Sequence, residues 1–306
     1  MKTLVLGGTR FVGKALVRLI SAKNHEITIF TRGNRSAPPN VEHLRGDRNS
    51  PEDLELLRGR SFDVIVDVSG RTLLDTQSVL AVTGAPSQRF LYVSSAGVYA
   101  NSELWPVDES FKVDSNSRHI GKFETETWLA NSEIPFTSFR PTYIYGPGNY
   151  NPIETWFFDR IMNNRPVPIP GNGSYITQLG HVYDLAEAMV HSLEFRIATN
   201  KIYNCSNKQG VTFLGLVETA AKVCGKNMDQ IETRSFNPSG LDPKSRKAFP
   251  LRIGHFLTDT SRISNDLDWA PNFDLEKGLL DSFKNDYLVN KSNEIDFSLD
   301  EKLISC

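Results

Sequence analysis

Apolar runs and amphipathic segments alternate along the first half of the chain. The run Thr3-Leu4-Val5-Leu6 reads as a strand, and Lys14–Ile20 repeats its apolar positions with helical spacing. Strands are predicted at Glu26–Phe30, Val41–Leu44, Asp63–Val68, Arg89–Val93 and Phe136–Phe139. Helices are predicted at Pro51–Leu57, Leu73–Val82, Ser117–Asn131 and Pro152–Asn163. Pro51 suits a helix start, because its missing N–H has no intrahelical partner there. Strands separated by helices imply right-handed crossovers and a parallel sheet covered on both faces.

After Arg165 the pattern changes. Pro166 to Gly173 holds three prolines and two glycines and excludes a helix. Helices follow at Val182–Leu193, Phe213–Val223, Ser261–Leu267 and Leu275–Leu288, with a strand at Ile202–Asn204. Asn237–Lys247 is polar and reads as an exposed loop. The expected architecture is α/β: a Rossmann-type doubly wound parallel sheet over residues 1–165, rejoined by 178–208, with a smaller C-terminal α/β substrate lobe in 166–306. Ligands are expected in a cleft between the lobes.

The 306 residues allow one large domain or two modest ones. No apolar run reaches the roughly 18 residues of a membrane span. The first strand is expected to begin near residue 2, so no targeting peptide is expected ahead of it. Cys205, Cys224 and Cys306 are widely spaced and odd in number, which suits a reducing cytoplasm better than a disulfide framework. The net charge of −2 argues against a dedicated nucleic-acid binder, but it is uneven. Residues 1–36 carry Lys2, Arg10, Lys14, Arg18, Lys23, Arg32 and Arg35 against Glu26 alone, a net of +6, and the rest of the chain then carries −8. Such a basic end attracts phosphate, or is simply a solvated face.

Between the first strand and helix stands Gly7-Gly8-Thr9-Arg10-Phe11-Val12-Gly13. Glycines there let the backbone approach a pyrophosphate at a helix N-terminus. Arg10 stands where a second turn glycine is expected, and it either crowds the phosphate path or contacts the phosphate.

Further landmarks follow in order: Arg45-Gly46-Asp47, Ser94-Ser95-Ala96-Gly97-Val98-Tyr99, Arg140-Pro141-Thr142-Tyr143, His181-Val182-Tyr183-Asp184 and Leu267-Asp268-Trp269. Together they resemble the extended or atypical short-chain dehydrogenases/reductases of the epimerase/dehydratase type. The segments Ser117-Arg118-His119-Ile120-Gly121-Lys122, Tyr150-Asn151-Pro152 and Thr177 to Val182 narrow the likeness. They resemble the chloroplast stem-loop RNA-binding proteins and their cyanobacterial relatives, a family to which endoribonuclease activity is ascribed. That resemblance implies a partner in stem-loop mRNA and cleavage of it. Analogy with other proteins of the Rossmann-type fold further suggests a homo-oligomer through the helices at Leu73–Val82 and Ser117–Asn131.

Superfamily enzymes use a serine, a tyrosine and a lysine four residues beyond the tyrosine. Ser95 and Lys122 answer to the first and last, but the tyrosine position holds Arg118. A guanidinium does not deprotonate in proteins, so hydride chemistry of the usual kind is expected to be lost, unless Tyr99 or Tyr143 replaces the tyrosine. Thr31-Arg32 ends the second strand where NAD-selective sites place a carboxylate, so a bound dinucleotide is expected to be NADP in preference to NAD. Asp47, with Arg48 beside it, is expected at the adenine, or capping a local turn. Lys122 is a cofactor contact or a surface helix residue paired with Glu126. RNA contacts are sought at Arg35, Arg118, His119, Tyr143, Lys244, Arg246 and Arg252. His119 and His181 are the candidate nuclease acid/base pair. No metal-binding motif is seen. The second reading is an NADP-dependent epimerase, dehydratase or reductase acting on a sugar nucleotide.

Overall fold

The computed structural model describes residues 1–242, 245–290 and 295–304. In chain order the first elements are β1 (Lys2–Leu6), α1 (Phe11–Ala22), β2 (Glu26–Thr31), β3 (Glu42–Arg45), α2 (Pro51–Leu54), β4 (Val64–Asp67), α3 (Leu73–Thr83), β5 (Arg89–Val93), α4 (Ile120–Ala130) and β6 (Phe136–Pro141). Then come β7 (Tyr143–Tyr145), α5 (Glu154–Met162), β8 (Val167–Pro170), β9 (Ile176–Thr177), β10 (Leu179–His181), α6 (Val182–His191) and β11 (Lys201–Cys205). The chain closes with β12 (Val211–Thr212), α7 (Phe213–Val223), β13 (Thr233–Phe236), α8 (Ser261–Leu267), α9 (Leu275–Ser282) and α10 (Asp300–Ile304).

Two compact units result. The first comprises Met1–Thr142, Val182–Ser206 and Thr258–Ala270. Its sheet runs β11-β6-β5-β4-β1-β2-β3 with every pairing parallel. Side chains alternate across a strand, so Leu4, Leu6, Ile65, Phe90 and Tyr92 share one face. They pack with Leu54, Leu57, Val79, Leu80 and Leu129, which brings α2, α3 and α4 to that face. On the opposite face α1 lies against α6. Strand order reverses between β1 and β4, and the carboxyl ends of strands at such a reversal are where this architecture places ligands.

The second unit comprises Tyr143–His181, Asn207–Leu257 and Pro271–Cys306. It holds three two-stranded sheets, β10-β7, β12-β9 and β13-β8, around a core that includes Trp156, Phe157, Phe158, Phe213, Phe236 and Phe249. The proline-rich stretch after Arg165 forms β8, whose Val167 and Ile169 are buried in that core.

The division therefore differs from the expected boundary at residue 165. Ile153 to Ile161 are apolar on the side that joins Val167 and Phe213, so β7 and α5 belong to the second core. Residues 258–270 return to the first unit, where Ile263 and Leu267 are fully buried and Thr258 bridges Val107. The loop expected at Asn237–Lys247 contains a short 3₁₀ turn at Pro238–Gly240 and begins another at Ser245–Ala248.

Candidate functional site

At the carboxyl end of β1 the chain turns sharply into α1. Gly7 has φ +98°, and a methyl group on Gly8 would press to 2.7 Å from Ile29 Cγ2. A Cβ on Gly13 would drive into the carbonyl oxygen of Gly7, so only glycine lets the helix close onto the turn. Arg10 occupies the helix N-cap with extended backbone and an exposed side chain, which places it at the rim of the turn. Phe11, buried, has φ +42°, a left-handed conformation that non-glycine residues rarely adopt. Thr9 is half-buried and Val12 buried beside them.

At the end of β2 the Thr31 hydroxyl lies 2.9 Å from His43 Nε2 and accepts the Gly33 N–H at 3.3 Å. Arg32 and Arg35 are exposed. The bare backbone at Gly7 and Gly13 and the arginines around it suit the phosphates of a dinucleotide.

Several expected contacts are committed elsewhere. Arg48 donates two hydrogen bonds to Asp67, at 3.1 and 3.0 Å, and the carboxylate is wholly buried. Arg48 therefore anchors the end of β4. Asp67 also accepts the N–H groups of Ser69 and Gly70, fixing the loop after β4. Asp47 accepts the Asn49 N–H at 2.9 Å, the local-turn role. The signal for Asp67 was an acid closing the apolar run Val64-Ile65-Val66, and it was missed.

Helix α4 starts at Ile120, three residues later than expected, so Arg118 precedes the helix and does not share a face with Lys122. Lys122 is no surface residue. Its ammonium donates to the carbonyl oxygens of Gly70 (3.0 Å) and Val93 (2.6 Å) and lies 5.2 Å from the Tyr92 ring centre. Desolvation there pushes its pKa down to about 8, against the pull of Asp67 and Glu126. Nor does Glu126 form a surface pair: it is buried and holds Arg140 at 2.7 Å, with Ser138 donating to it at 2.7 Å. Arg140 in turn donates to the Tyr99 hydroxyl, which donates to Asn204 Oδ1 at 2.7 Å. Burial pushes the Tyr99 pKa up to about 12, so this tyrosine is a structural member of the network and no substitute acid.

Ser95 accepts the Gly97 N–H at 3.0 Å. His119 lies across the same glycine. At the place of a Gly97 Cβ, His119 Nε2 would be 3.0 Å away and Ser95 Oγ 3.1 Å away. Ser117 fixes this arrangement, donating to Gly97 O at 2.7 Å and accepting the His119 N–H at 3.1 Å. Arg118, exposed, donates from Nε to His119 Nε2 at 3.0 Å. The sequence had offered these residues singly, and the fold brings them together.

The remaining candidates lie in the second unit. The Tyr143 hydroxyl accepts the Arg252 N–H at 2.6 Å, and the Arg252 guanidinium stands 4.9 Å from the Phe256 ring centre. Arg246 is half-buried and donates to Leu251 O, in place of the exposed loop position expected. Lys244 and Cys306 lie outside the described residues. His181 is buried, stacked 3.8 Å from Phe273, and desolvation lowers its pKa to about 3. Its Nε2 stands 3.3 Å from Asp281 Oδ2, within the second unit. Among the described residues no group of three His, Cys, Asp or Glu gathers as a metal site, and no helix is long and apolar enough to cross a membrane.

Residues 3–206 match the model of the NAD dependent epimerase/dehydratase family, and the chain belongs to that family. The chain is 39% identical to the chloroplast stem-loop binding protein of 41 kDa b of Arabidopsis thaliana, over 99% of this chain and 84% of that one. Among solved structures, an epimerase of Methanothermobacter thermautotrophicus superposes with a TM-score of 0.78 at 19% identity, covering 94% of this chain and 93% of that one. The dTDP-glucose 4,6-dehydratase of Bacillus anthracis in complex with NAD gives 0.75 at 20% identity, covering 95% and 97%. These two likenesses establish the shared fold.

Proposed function

We propose that this protein binds stem-loop RNA on a Rossmann-type scaffold whose serine–tyrosine–lysine hydride chemistry is lost. The observation that carries this reading is at position 118. The residue is an exposed arginine ahead of α4, while Lys122 is turned onto backbone carbonyls and Tyr99 is locked to Arg140. Near full-length similarity to a stem-loop binding protein supports the partner. Arg10, Arg32 and Arg35 supply exposed positive charge at the ligand end of the sheet. The reading extends to cleavage of the bound RNA. It also extends to self-association through α3 and α4, where Leu74 is 69% exposed.

A dinucleotide fits the same residues. Gly7, Gly8 and Gly13 would hold its pyrophosphate, and Thr31 with Arg32 favours a 2′-phosphate, hence NADP. When bound, it would supply a hydride acceptor or donor.

The test is binding of a labelled stem-loop RNA at two salt concentrations, with and without NADP, followed by a gel of the same RNA. Tight, salt-sensitive binding that NADP weakens is expected. NADP binding without RNA binding would overturn this reading in favour of a sugar-nucleotide epimerase or reductase, for which Ser95 and the glycine turn remain in place.

A further inference from the structure

Charge attraction by exposed arginines is blind to the sugar, so Arg10, Arg32 and Arg35 would hold DNA as readily as RNA. Discrimination needs a group that meets the ribose 2′-hydroxyl, which is both donor and acceptor. Resting on the RNA reading above, we infer that Arg118, His119 and Ser95 read one nucleotide together. The guanidinium takes its phosphate, and the imidazole and hydroxyl take its 2′-hydroxyl.

Gly97 makes the pairing possible. With no Cβ in the way, His119 Nε2 and the Ser95 hydroxyl both border the same bare backbone, 3.0 and 3.1 Å from where that Cβ would stand. Ser117 pins both sides of the arrangement, through Gly97 O and the His119 N–H. The hydrogen-bond roles are set by chemistry. The Arg118 guanidinium is always a donor, so the Nε2 of His119 that it meets is an acceptor, and the ring's proton is on Nδ1. Ser95 accepts from Gly97 N–H and keeps its own O–H to donate. A 2′-hydroxyl donates to Nε2 and accepts from Ser95, satisfying both. Deoxyribose satisfies neither.

Arrival of phosphate draws the guanidinium away from Nε2, and the vacated lone pair becomes the receptor for the hydroxyl. Phosphate capture and sugar reading are thus coupled through one nitrogen, and the arginine at the lost tyrosine position has a use of its own.

The test is fluorescence anisotropy with a labelled stem-loop RNA, the DNA of the same sequence and the 2′-O-methylated RNA. The wild type is expected to favour RNA over both. His119→Ala and Ser95→Ala should each weaken RNA binding about three- to tenfold, as for one or two hydrogen bonds, and should not weaken DNA binding. His119→Gln, which keeps an acceptor near Nε2, should recover part of the loss. Arg118→Gln should weaken RNA and DNA alike and lower the salt slope by about one contact. Arg118→Gln and His119→Ala together should cost less than the product of the two. Equal wild-type affinity for RNA and DNA, or equal losses on both in a His119→Ala variant of unchanged melting temperature, would overturn the inference and leave RNA binding standing. Binding to neither would overturn the RNA reading itself.

Discussion

Glu126 and Arg140 form a buried ion pair, both side chains at most 2% exposed, with the guanidinium Nε and Nη2 on the two carboxylate oxygens. The pair joins α4 to β6, and through Tyr99 and Asn204 it reaches β11. Removing one partner strands the other charge without water. Glu126→Ala should cost about 3–5 kcal/mol of stability, measured by denaturant unfolding. A loss below about 1 kcal/mol would show that the site is wetter than its burial indicates.

Lys122 gives a stability profile with a definite sign. Its pKa is lowered to about 8 in the folded chain from an ordinary value near 10.5. Between those values the unfolded chain binds more protons, so the lysine's contribution to stability rises as pH climbs from about 8 to 10.5. The gain is roughly 3 kcal/mol at most. Lys122→Met should remove this rise, as read from denaturation midpoints across that range.

Glu154 behaves oppositely. It is fully enclosed, accepts the Gly146 N–H and the Asn149 amide, both at 2.9 Å, and burial raises its pKa to about 7. Its contribution is full below pH 4.5 and is lost as pH rises to about 7. Glu154→Gln should therefore flatten the stability profile between those limits and melt higher than the wild type above pH 7.

Gly13→Ala should abolish nucleotide binding and lower the melting temperature, since its methyl group has no place beside Gly7 O. Calorimetric titration with NADP reads the first effect. Retained affinity would mean the turn relaxes.

Arg32→Asp should shift the ratio of NADP to NAD affinity toward NAD by about tenfold or more, as a proposed charge-assisted contact to a 2′-phosphate is exchanged for repulsion. An unchanged ratio would detach Arg32 from the 2′-phosphate.

The alternating fold was legible because strand and helix periods differ and because the glycine turn follows β1 directly. The gap left by Arg118 was legible in the motif itself. The positions of Lys122, Arg48 and Glu126 were not. Each carries a charge, and charge in a helix or loop reads as surface. Their burial depends on partners 19 to 52 positions away for Arg48 and Lys122, and 14 for Glu126. That Ser95 and His119 border one space was hidden for the same reason, since that space lies above Gly97. Arg246 was misread because its polar neighbours in sequence gave no sign of Phe249 entering the core.

Strand β11, at one edge of the seven-stranded sheet, is supplied by residues 201–205, and α8 follows only at 261. The first unit is thus not a contiguous stretch of chain. A ribosome releases β1 to β6 well before β11 exists, which leaves β6 as a bare edge during synthesis. A fragment ending at Thr142 would carry that same open edge permanently, so the first unit cannot be cut out and studied as a clean module.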